Sequence, residues 1–220
     1  MNRDEVMGRI SNVGVVAVVR ADSSEDLLTL IDALVAGGVD ACEVTMTVPG
    51  ALDGIKAAAQ HFGDRALVGV GSVLDAETAR MAILSGAQFV FSPIFNEEII
   101  VMGHRYGRPV VPGAFTPTEI MGAWSAGADA VKVFPANHLG PTYFSDLLAP
   151  MPQLRLTPTG GVDVSTTPEW IRAGAFAVGA GSALVDKKAI RERNWADITS
   201  RAEAFVDAVK RGRQDISGEK

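Results

Sequence analysis

Short apolar runs alternate with longer amphipathic stretches along almost the whole chain. The runs are rich in valine and phenylalanine, and between them alanine and leucine recur at helical spacing beside charged residues. The runs predict strands at residues 13–19, 41–45, 67–70, 89–92, 110–111, 130–134, 155–157 and 177–178. The other stretches predict helices at residues 24–36, 51–61, 76–85, 96–106, 118–126, 143–148, 168–173 and 195–211.

Strands that alternate with helices predict right-handed βαβ crossovers and a parallel sheet in an α/β protein. The repeated units favour closure into a (β/α)8 TIM barrel, and an open doubly wound sheet is the alternative. Glycines near the helix ends, as in LVAGGVDACEV and WSAGADAVKV, suit left-handed helix stops. We expect a single domain over residues 1–220, with a polar C-terminal tail from about residue 212.

Composition limits the partners and the compartment. The net charge is −6, with scattered lysines and arginines, and gives no electrostatic footprint for nucleic acid. No apolar stretch reaches the roughly 18 residues of a membrane span, and the first residues do not form a signal-peptide pattern. Because the lone Cys42 excludes an internal disulfide, a cytoplasmic location is expected.

Lys132 is conspicuous because it lies within the apolar run DAVKVFPA. Alternation along a strand puts Ala130, Lys132 and Phe134 on one face. Such runs are typical of parallel strands covered on both faces, where an unpaired ammonium is unfavourable. Burial favours the neutral amine, which attacks ketones to form Schiff bases. The alternative is a lysine at a strand end that reaches solvent or pairs with a carboxylate.

Glu43 is predicted to share the barrel interior with Lys132. In ACEVT, alternation puts Glu43 and Thr45 on one face and Cys42 on the other, under the helices, as a small hydrophobe. Active sites of such barrels lie where the strands end, so Thr45 is a candidate substrate-binding residue. The pair of Glu43 and Lys132 is either a proton carrier beside an amine nucleophile or a plain internal ion pair.

Two glycine-rich motifs, TPTGG and GAGSAL, end the seventh and eighth strands. Barrels of this kind often bind a phosphate there through backbone N–H groups. Gly160, Gly161 and Gly181 let the main chain approach an anion closely, and Ser182 adds a hydroxyl donor. The alternative is that these glycines only form tight turns.

No cofactor or metal is expected. The three histidines, His61, His104 and His138, are scattered and show no ligand spacing. The sequence has no GxGxxG or Walker pattern, which argues against dinucleotide and ATP chemistry.

Seven motifs resemble, in order, those of the 2-keto-3-deoxy-6-phosphogluconate (KDPG) and 4-hydroxy-2-oxoglutarate (KHG) aldolase family. They are LVAGGVDACEVTMTVPGAL, VGVGSVLDAE, GAQFVFSPIF, VPGAFTPTE, DAVKVFPA, TPTGGV and VGAGSALV, and the resemblance covers about residues 10 to 210. It implies a metal-free homotrimer of (β/α)8 barrels. It also implies a small-molecule substrate, a phosphorylated 2-keto-3-deoxy sugar acid, that is cleaved to pyruvate and glyceraldehyde 3-phosphate.

The resemblance puts the Schiff-base lysine on Lys132 and the proton-transferring glutamate on Glu43. It puts Ser72, Pro93 and Thr159 around the keto-acid end of the substrate. Ser72 departs from the commoner threonine, but one hydroxyl replaces another. The implied phosphate site consists of Gly160, Gly161, Gly181 and Ser182.

Thr47 marks a second departure, because the best-known members carry an arginine there that helps to hold the anionic substrate. Some relatives, including galactonate-type aldolases, instead have an arginine at the place of Arg20, the end of strand one. A guanidinium at the barrel mouth suits a carboxylate or phosphate. The alternative is that Arg20 pairs on the rim with Asp22 or Glu25.

Three other functions stay open at this stage. A sister aldolase for the galactonate epimer would be separated by assays of the two C4 epimers. A non-catalytic phospho-sugar-binding barrel would bind without turnover. An isomerase barrel would need no Schiff-base lysine, so chemical trapping would exclude it.

Overall fold

The structure confirms the (β/α)8 barrel. It is a computed structural model and describes residues 1–21 and 23–218. The strands are β1 (Val15–Val19), β2 (Ala41–Thr45), β3 (Leu67–Gly71), β4 (Val90–Phe91), β5 (Val110–Val111), β6 (Gly113–Ala114), β7 (Val131–Val133), β8 (Leu156–Pro158) and β9 (Val178–Ala180). All their pairings are parallel, in the orders β5-β4-β3-β2-β1-β9 and β6-β7-β8.

Two connections close the sheet on itself. A parallel bridge between Thr159 and Gly179 joins β8 to β9. At the other junction only Pro112 separates β5 from β6, because proline cannot donate a ladder hydrogen bond. These two short strands therefore fill one position in the barrel wall, and the open doubly wound sheet is excluded.

Helices cover the outside of the wall in chain order. They are α1 (Arg3–Val13), α2 (Ser24–Ala36), α3 (Ala51–Phe62), α4 (Ala76–Leu84), α5 (Glu97–Arg105), α6 (Pro117–Ser125), α7 (Thr142–Leu148), α8 (Thr167–Arg172), α9 (Lys187–Arg191) and α10 (Trp195–Gly218). The sequence predicted helices at the positions of α2 to α8 and α10. It predicted neither α1 nor α9.

Polar side chains fix the starts of several helices at the carboxyl end of the barrel. Asp75 accepts a hydrogen bond of 2.6 Å from the N–H of Thr78 at the start of α4. Thr116 and Glu119 form a capping box at the start of α6. These caps satisfy backbone donors that have no partner within the helix.

The wall separates two apolar layers. Cys42 and Val44 of β2 face the outer layer, between the strands and the helices. Burial raises the pKa of the Cys42 thiol, which fits its predicted role as a small hydrophobe. The inner layer fills the lower part of the barrel and consists of Val6, Met7, Ile10, Val16, Ala41, Leu67, Phe89, Phe91, Val111, Ala130 and Ala177.

Helix α1 closes the amino end of the barrel. Its residues Val6, Met7 and Ile10 belong to the inner layer. The sequence predicted that a strand begins at residue 13, but the helix runs to Val13 and Gly14 ends it at φ 74°. Glycine adopts this left-handed conformation without steric cost, so the turn into β1 is abrupt.

Helix α10 runs to Gly218, whereas the sequence predicted its end at residue 211 and a polar tail from about residue 212. Contacts to other segments hold this last part. Arg213 donates to the carbonyl of Asn12 at 2.8 Å, and Arg172 forms an ion pair of 2.6 Å with Asp215. Arg213 and Asp215 are polar because their side chains bond to groups of other segments. A polar sequence pattern alone does not distinguish such a helix end from an unstructured end.

Candidate active site

Glu43 and Lys132 meet inside the carboxyl end of the barrel. Glu43 lies in β2 and Lys132 in β7, and Nζ of Lys132 is 3.9 Å from Oε1 of Glu43. Glu43 is 1% exposed and Lys132 is 5% exposed. The predicted face alternation of both strands is confirmed. Because 3.9 Å is too long for a hydrogen bond, both groups retain the capacity to bond to a third molecule.

Glycines make room for the polar groups at this end. Gly71 ends β3 beside Thr45 of β2, and a Cβ atom at Gly71 would overlap the carboxylate of Glu43. In the same way, a Cβ atom at Gly179 of β9 would overlap the hydroxyl of Thr159. The barrel wall therefore has glycine, which lacks a side chain, at the two places where the side chains of Glu43 and Thr159 need space.

Glu43 is a carboxyl group that holds its proton more tightly than an ordinary glutamate. Burial raises its pKa, and the positive charges of Lys132 and then Arg20 oppose this shift. Its Oε1 has no hydrogen-bond partner within the described residues. A buried carboxyl with a raised pKa and an available oxygen is suited to accept and return a proton.

Two aromatic rings flank the amine of Lys132. Its Nζ lies 5.2 Å from the ring centroid of Phe134 and 5.9 Å from that of Phe91. The faces of aromatic rings attract cations, so these two rings suit the positive charge of a protonated imine formed at that nitrogen. The backbone N–H of Lys132 donates to the carbonyl of Pro112 at 2.8 Å, which anchors the strand at the bend of the wall.

A cleft of about 690 Å³ opens at the carboxyl end of the barrel. It brings together six of the predicted binding residues, which come from the ends of β1, β8 and β9. They are Arg20, Thr159, Gly160, Gly161, Gly181 and Ser182. A volume of this size suits a small organic ligand.

The wall of the cleft at β8 offers several donors. The hydroxyl of Thr159 is buried and has no hydrogen-bond partner within the described residues. Gly160 and Gly161 adopt left-handed conformations, with φ 95° and 75°. Their N–H groups donate no hydrogen bond inside the described chain. Unused donors beside glycines without side chains suit an anion that approaches the backbone.

Arg20 follows β1, is exposed and lines the cleft. It is close enough to Glu43 to lower the pKa of that carboxyl in part. The alternative partners named from the sequence, Asp22 and the side chain of Glu25, lie outside the described residues. Thr47 also lines the cleft.

Three predicted binding residues are not part of the cleft lining. The hydroxyl of Thr45 is 2.8 Å from that of Thr47. Ser72 follows β3 with φ 59°, an uncommon left-handed conformation that tends to occur at functional sites. The backbone of Pro93 lies so close to β6 that a Cβ atom at Gly113 would overlap it. Their binding roles stay predictions.

Sequence reasoning did not identify two cations of the cleft, Lys187 and Arg191 of α9. They come shortly after the motif VGAGSALV, which ends at Val185, and their spacing of four residues puts them on one face of a helix. That spacing was the available signal, but a helix of five residues is too short to give a periodic pattern. Within the described residues, no three histidine, cysteine or carboxylate side chains converge as a metal site, and no helix could span a membrane.

Comparison with known proteins gives a consistent result. The chain is 33% identical over 196 residues to 2-dehydro-3-deoxy-6-phosphogalactonate aldolase of Escherichia coli K12, covering 89% of this chain and 96% of that protein. It is 34% identical to 2-dehydro-3-deoxy-phosphogluconate aldolase of Treponema pallidum, covering 91% and 95%.

Solved structures agree with these sequence similarities. The KDPG aldolase of Legionella pneumophila, solved with pyruvate captured as a covalent carbinolamine intermediate, superposes with a TM-score of 0.84. It is 29% identical, and the match covers 90% of this chain and 97% of that one. A family model described as "KDPG and KHG aldolase" matches residues 6–201. The chain therefore belongs to the KDPG and KHG aldolase family, a family of class I aldolases.

Proposed function

We propose that this chain is a Schiff-base aldolase that cleaves 2-keto-3-deoxy-6-phosphogluconate to pyruvate and glyceraldehyde 3-phosphate. The observation that carries the proposal is the buried pair of Lys132 and Glu43, 3.9 Å apart inside the barrel. A lysine amine supplies the nucleophile and the nearby carboxyl supplies the proton carrier. The glycine-rich wall of the cleft supports a phosphorylated substrate.

The reaction starts when the neutral amine of Lys132 attacks the C2 ketone and forms a carbinolamine. Glu43 delivers the proton with which the hydroxyl group leaves as water, and a protonated imine results. Glu43, now a carboxylate, removes the proton of the C4 hydroxyl. The C3–C4 bond then breaks, its electron pair moves into the imine, and glyceraldehyde 3-phosphate departs. The remaining enamine takes a proton at C3, and water hydrolyses the imine to pyruvate and free Lys132.

The other predicted residues have binding roles in this proposal. Ser72, Pro93, Thr159 and Thr45 surround the keto-acid end, and Arg20 pairs with its carboxylate. The unpartnered hydroxyl of Thr159 supports such a role, since a buried hydroxyl without a hydrogen bond is unfavourable until a ligand supplies one. The phosphate would be held by Gly160, Gly161, Gly181 and Ser182.

A galactonate-type aldolase is the second candidate. It is favoured by Arg20 in place of an arginine at Thr47 and by the similarity to the Escherichia coli phosphogalactonate enzyme. Turnover of the two C4 epimers, side by side with 4-hydroxy-2-oxoglutarate, distinguishes the candidates. We expect the gluconate epimer to give the highest kcat/KM.

Trapping of the imine tests the aldolase mechanism directly. Pyruvate with borohydride should inactivate the protein and leave a reduced adduct on the peptide that contains Lys132, as read by mass spectrometry. Lys132→Met is the matched control and should give no adduct. An adduct on Lys56 would contradict the assignment, and activity lost in EDTA and restored by a divalent ion would indicate a metal-dependent aldolase.

Arg20 is tested separately. Arg20→Ala should raise the KM for substrate by about 10-fold to 100-fold, because one charge-assisted contact contributes roughly 1.5–3 kcal/mol. Trapping at high pyruvate should persist, and the second substitution Thr47→Arg should restore part of the affinity. An unchanged KM in Arg20→Ala would show that backbone groups alone bind the anionic substrate.

The homotrimer is a further part of the proposal. Exposed large apolar side chains occur on three consecutive βα units and favour association with other copies of the chain. They are Leu74, Met81, Leu84, Ile94, Phe95, Val101 and Phe115. Light scattering should give the mass of a trimer for the wild type and a smaller mass for Leu84→Glu. A monomeric wild type would contradict this arrangement.

A further inference from the structure

Helix α9 contributes two cations to the rim of the cleft. Lys187 and Arg191 are four residues apart, so both side chains lie on one face of the helix. Both are exposed, and both line the cleft that also contains Thr159 and Gly160. The rim is therefore positively charged on a protein whose net charge is −6.

Other cations near this helix have carboxylate partners. Lys188 lies 4.0 Å from Glu192, and Arg193 lies 3.1 Å from Asp26. Neither Lys187 nor Arg191 forms an ion pair with a described residue. Two like charges at this spacing destabilise a helix, so the arrangement is unfavourable until an anion lies between them.

The acidic residue of the cleft lining does not supply that anion. Asp163 accepts hydrogen bonds from the Ser165 hydroxyl at 2.7 Å and from the N–H of Thr166 at 2.9 Å. These bonds fix its Oδ1 at the start of the α8 segment. A ligand in the cleft therefore meets three positive charges, those of Lys187, Arg191 and Arg20, against the carboxylate of Asp163, whose Oδ1 already accepts hydrogen bonds.

We infer that Lys187 and Arg191 hold the phosphate end of the substrate and thereby set the preference for phosphorylated over unphosphorylated 2-keto-3-deoxy acids. This inference rests on the proposed aldolase function. A phosphate monoester carries about −1.5 to −2 charges at pH 7, which two cations match. The cleft is continuous from the glycines after β8 to α9, so one ligand can contact the backbone donors and both cations. An unphosphorylated acid presents only a neutral hydroxyl to them.

The test is the ratio of kcat/KM for 2-keto-3-deoxy-6-phosphogluconate to that for unphosphorylated 2-keto-3-deoxygluconate. Lys187→Gln and Arg191→Gln should each lower this ratio by about fivefold to tenfold, mainly through the KM of the phosphorylated substrate. The double variant should lower the ratio further. The matched control is Lys188→Gln, which removes a paired cation from the same helix and should leave the ratio unchanged.

The outcomes separate this inference from the proposed function. A ratio that is unchanged in the double variant, or that falls equally in Lys188→Gln, overturns the inference although the aldolase stands. A wild type without turnover and without a borohydride adduct refutes the aldolase. In that case, calorimetric titration with inorganic phosphate still tests whether Lys187 and Arg191 bind phosphate. The double variant should bind phosphate several times more weakly than the wild type, and equal binding overturns the inference.

Discussion

The two ends of the barrel interior differ in what they contain. The amino end is filled by apolar side chains, among them Phe89, and α1 covers it. The carboxyl end contains Glu43, Lys132 and Thr159, and two buried oxygens there have no hydrogen-bond partner within the described residues. Close packing stabilises the fold at one end. Unsatisfied polar groups at the other end destabilise it and remain available to a substrate.

The largest effect is expected where a polar group carries the chemistry. Glu43→Gln keeps the shape of the side chain but cannot transfer a proton, so kcat should fall by about 10²–10⁴. Steady-state kinetics measures this loss, and trapping of pyruvate on Lys132 under long incubation serves as a control for the intact amine. Full activity in the variant would mean that the proton travels by another route.

The same variant should be more stable than the wild type. Burial raises the pKa of Glu43 above its unfolded value, so its contribution to stability is present below the unfolded pKa and is lost as the pH rises through the folded pKa. Glutamine resembles the protonated form at every pH. Glu43→Gln should therefore have a higher Tm than the wild type at neutral pH, and the difference should shrink as the pH falls. A lower Tm at neutral pH would identify Glu43 as a structural ion-pair partner.

A substitution at the amino end should have the opposite effects. Phe89 is fully buried and contacts Phe91 edge to face at a centroid distance of 5.6 Å. Phe89→Ala should destabilise the fold by about 3–5 kcal/mol through lost burial and a cavity, as measured by denaturant unfolding. The kcat of the remaining folded protein should change little. Phe89→Leu is the control and should lose much less stability, because it leaves a smaller cavity.

The periodicity of apolar residues in the sequence predicted the fold. The alternation of side chains between the two faces of a strand predicted that Lys132 and Glu43 share the barrel interior. Lys132 and Glu43 were identifiable because each interrupts a buried apolar run, where alternation fixes the side to which it points. The layered pattern of strands and helices was strong enough to predict closure. Such features depend on residues near one another in sequence.

Other features depend on contacts between distant segments. The capping box of Asn2 and Glu5 marks the start of α1 in the sequence. The helix has only three apolar residues that cover the barrel end, Val6, Met7 and Ile10, and the many polar residues between and around them weaken the helical pattern. The extension of α10 depends on Arg213 reaching Asn12. Lys187 joins the cleft only because β9 brings α9 beside the end of β8. A pattern of neighbouring residues cannot predict these contacts, because their partners are far apart in the sequence.

Replacing a glycine at the carboxyl end of the barrel should have a smaller effect on stability and on kcat than the substitutions above. Gly71→Ala puts a methyl group into the space of the Glu43 carboxylate. Overpacking of this kind destabilises by about 1–3 kcal/mol. Displacement of the carboxyl should also lower kcat, by up to about 100-fold, since small misplacements of catalytic groups are costly. Gly63→Ala is a control for the general effect of replacing glycine, because nothing lies within 4 Å of a Cβ atom there, although its φ of 50° adds backbone strain. Equal kinetics in the two variants would show that Glu43 tolerates the methyl group.

The smallest effect is expected from the polar contacts that hold α1 below the barrel. Asp129 precedes β7 and accepts hydrogen bonds from Arg3 at 2.6 Å and from the N–H of Val110 at 2.8 Å. Its Oδ2 also lies 3.0 Å from Nε2 of His104. Asp129→Asn keeps the shape and one acceptor but loses the charge. Because Arg3 is partly exposed, solvent screens its ion pair, and the variant should lose only about 1–2 kcal/mol in denaturant unfolding. Its kcat should equal that of the wild type, since the carboxylate of Asp129 contacts Arg3 of α1 and the backbone of Val110 in β5, and not Lys132 or Glu43. Arg3→Gln should account for the smaller part of the loss. A fall in kcat without a fall in stability would show that the two ends of the barrel are coupled through β7.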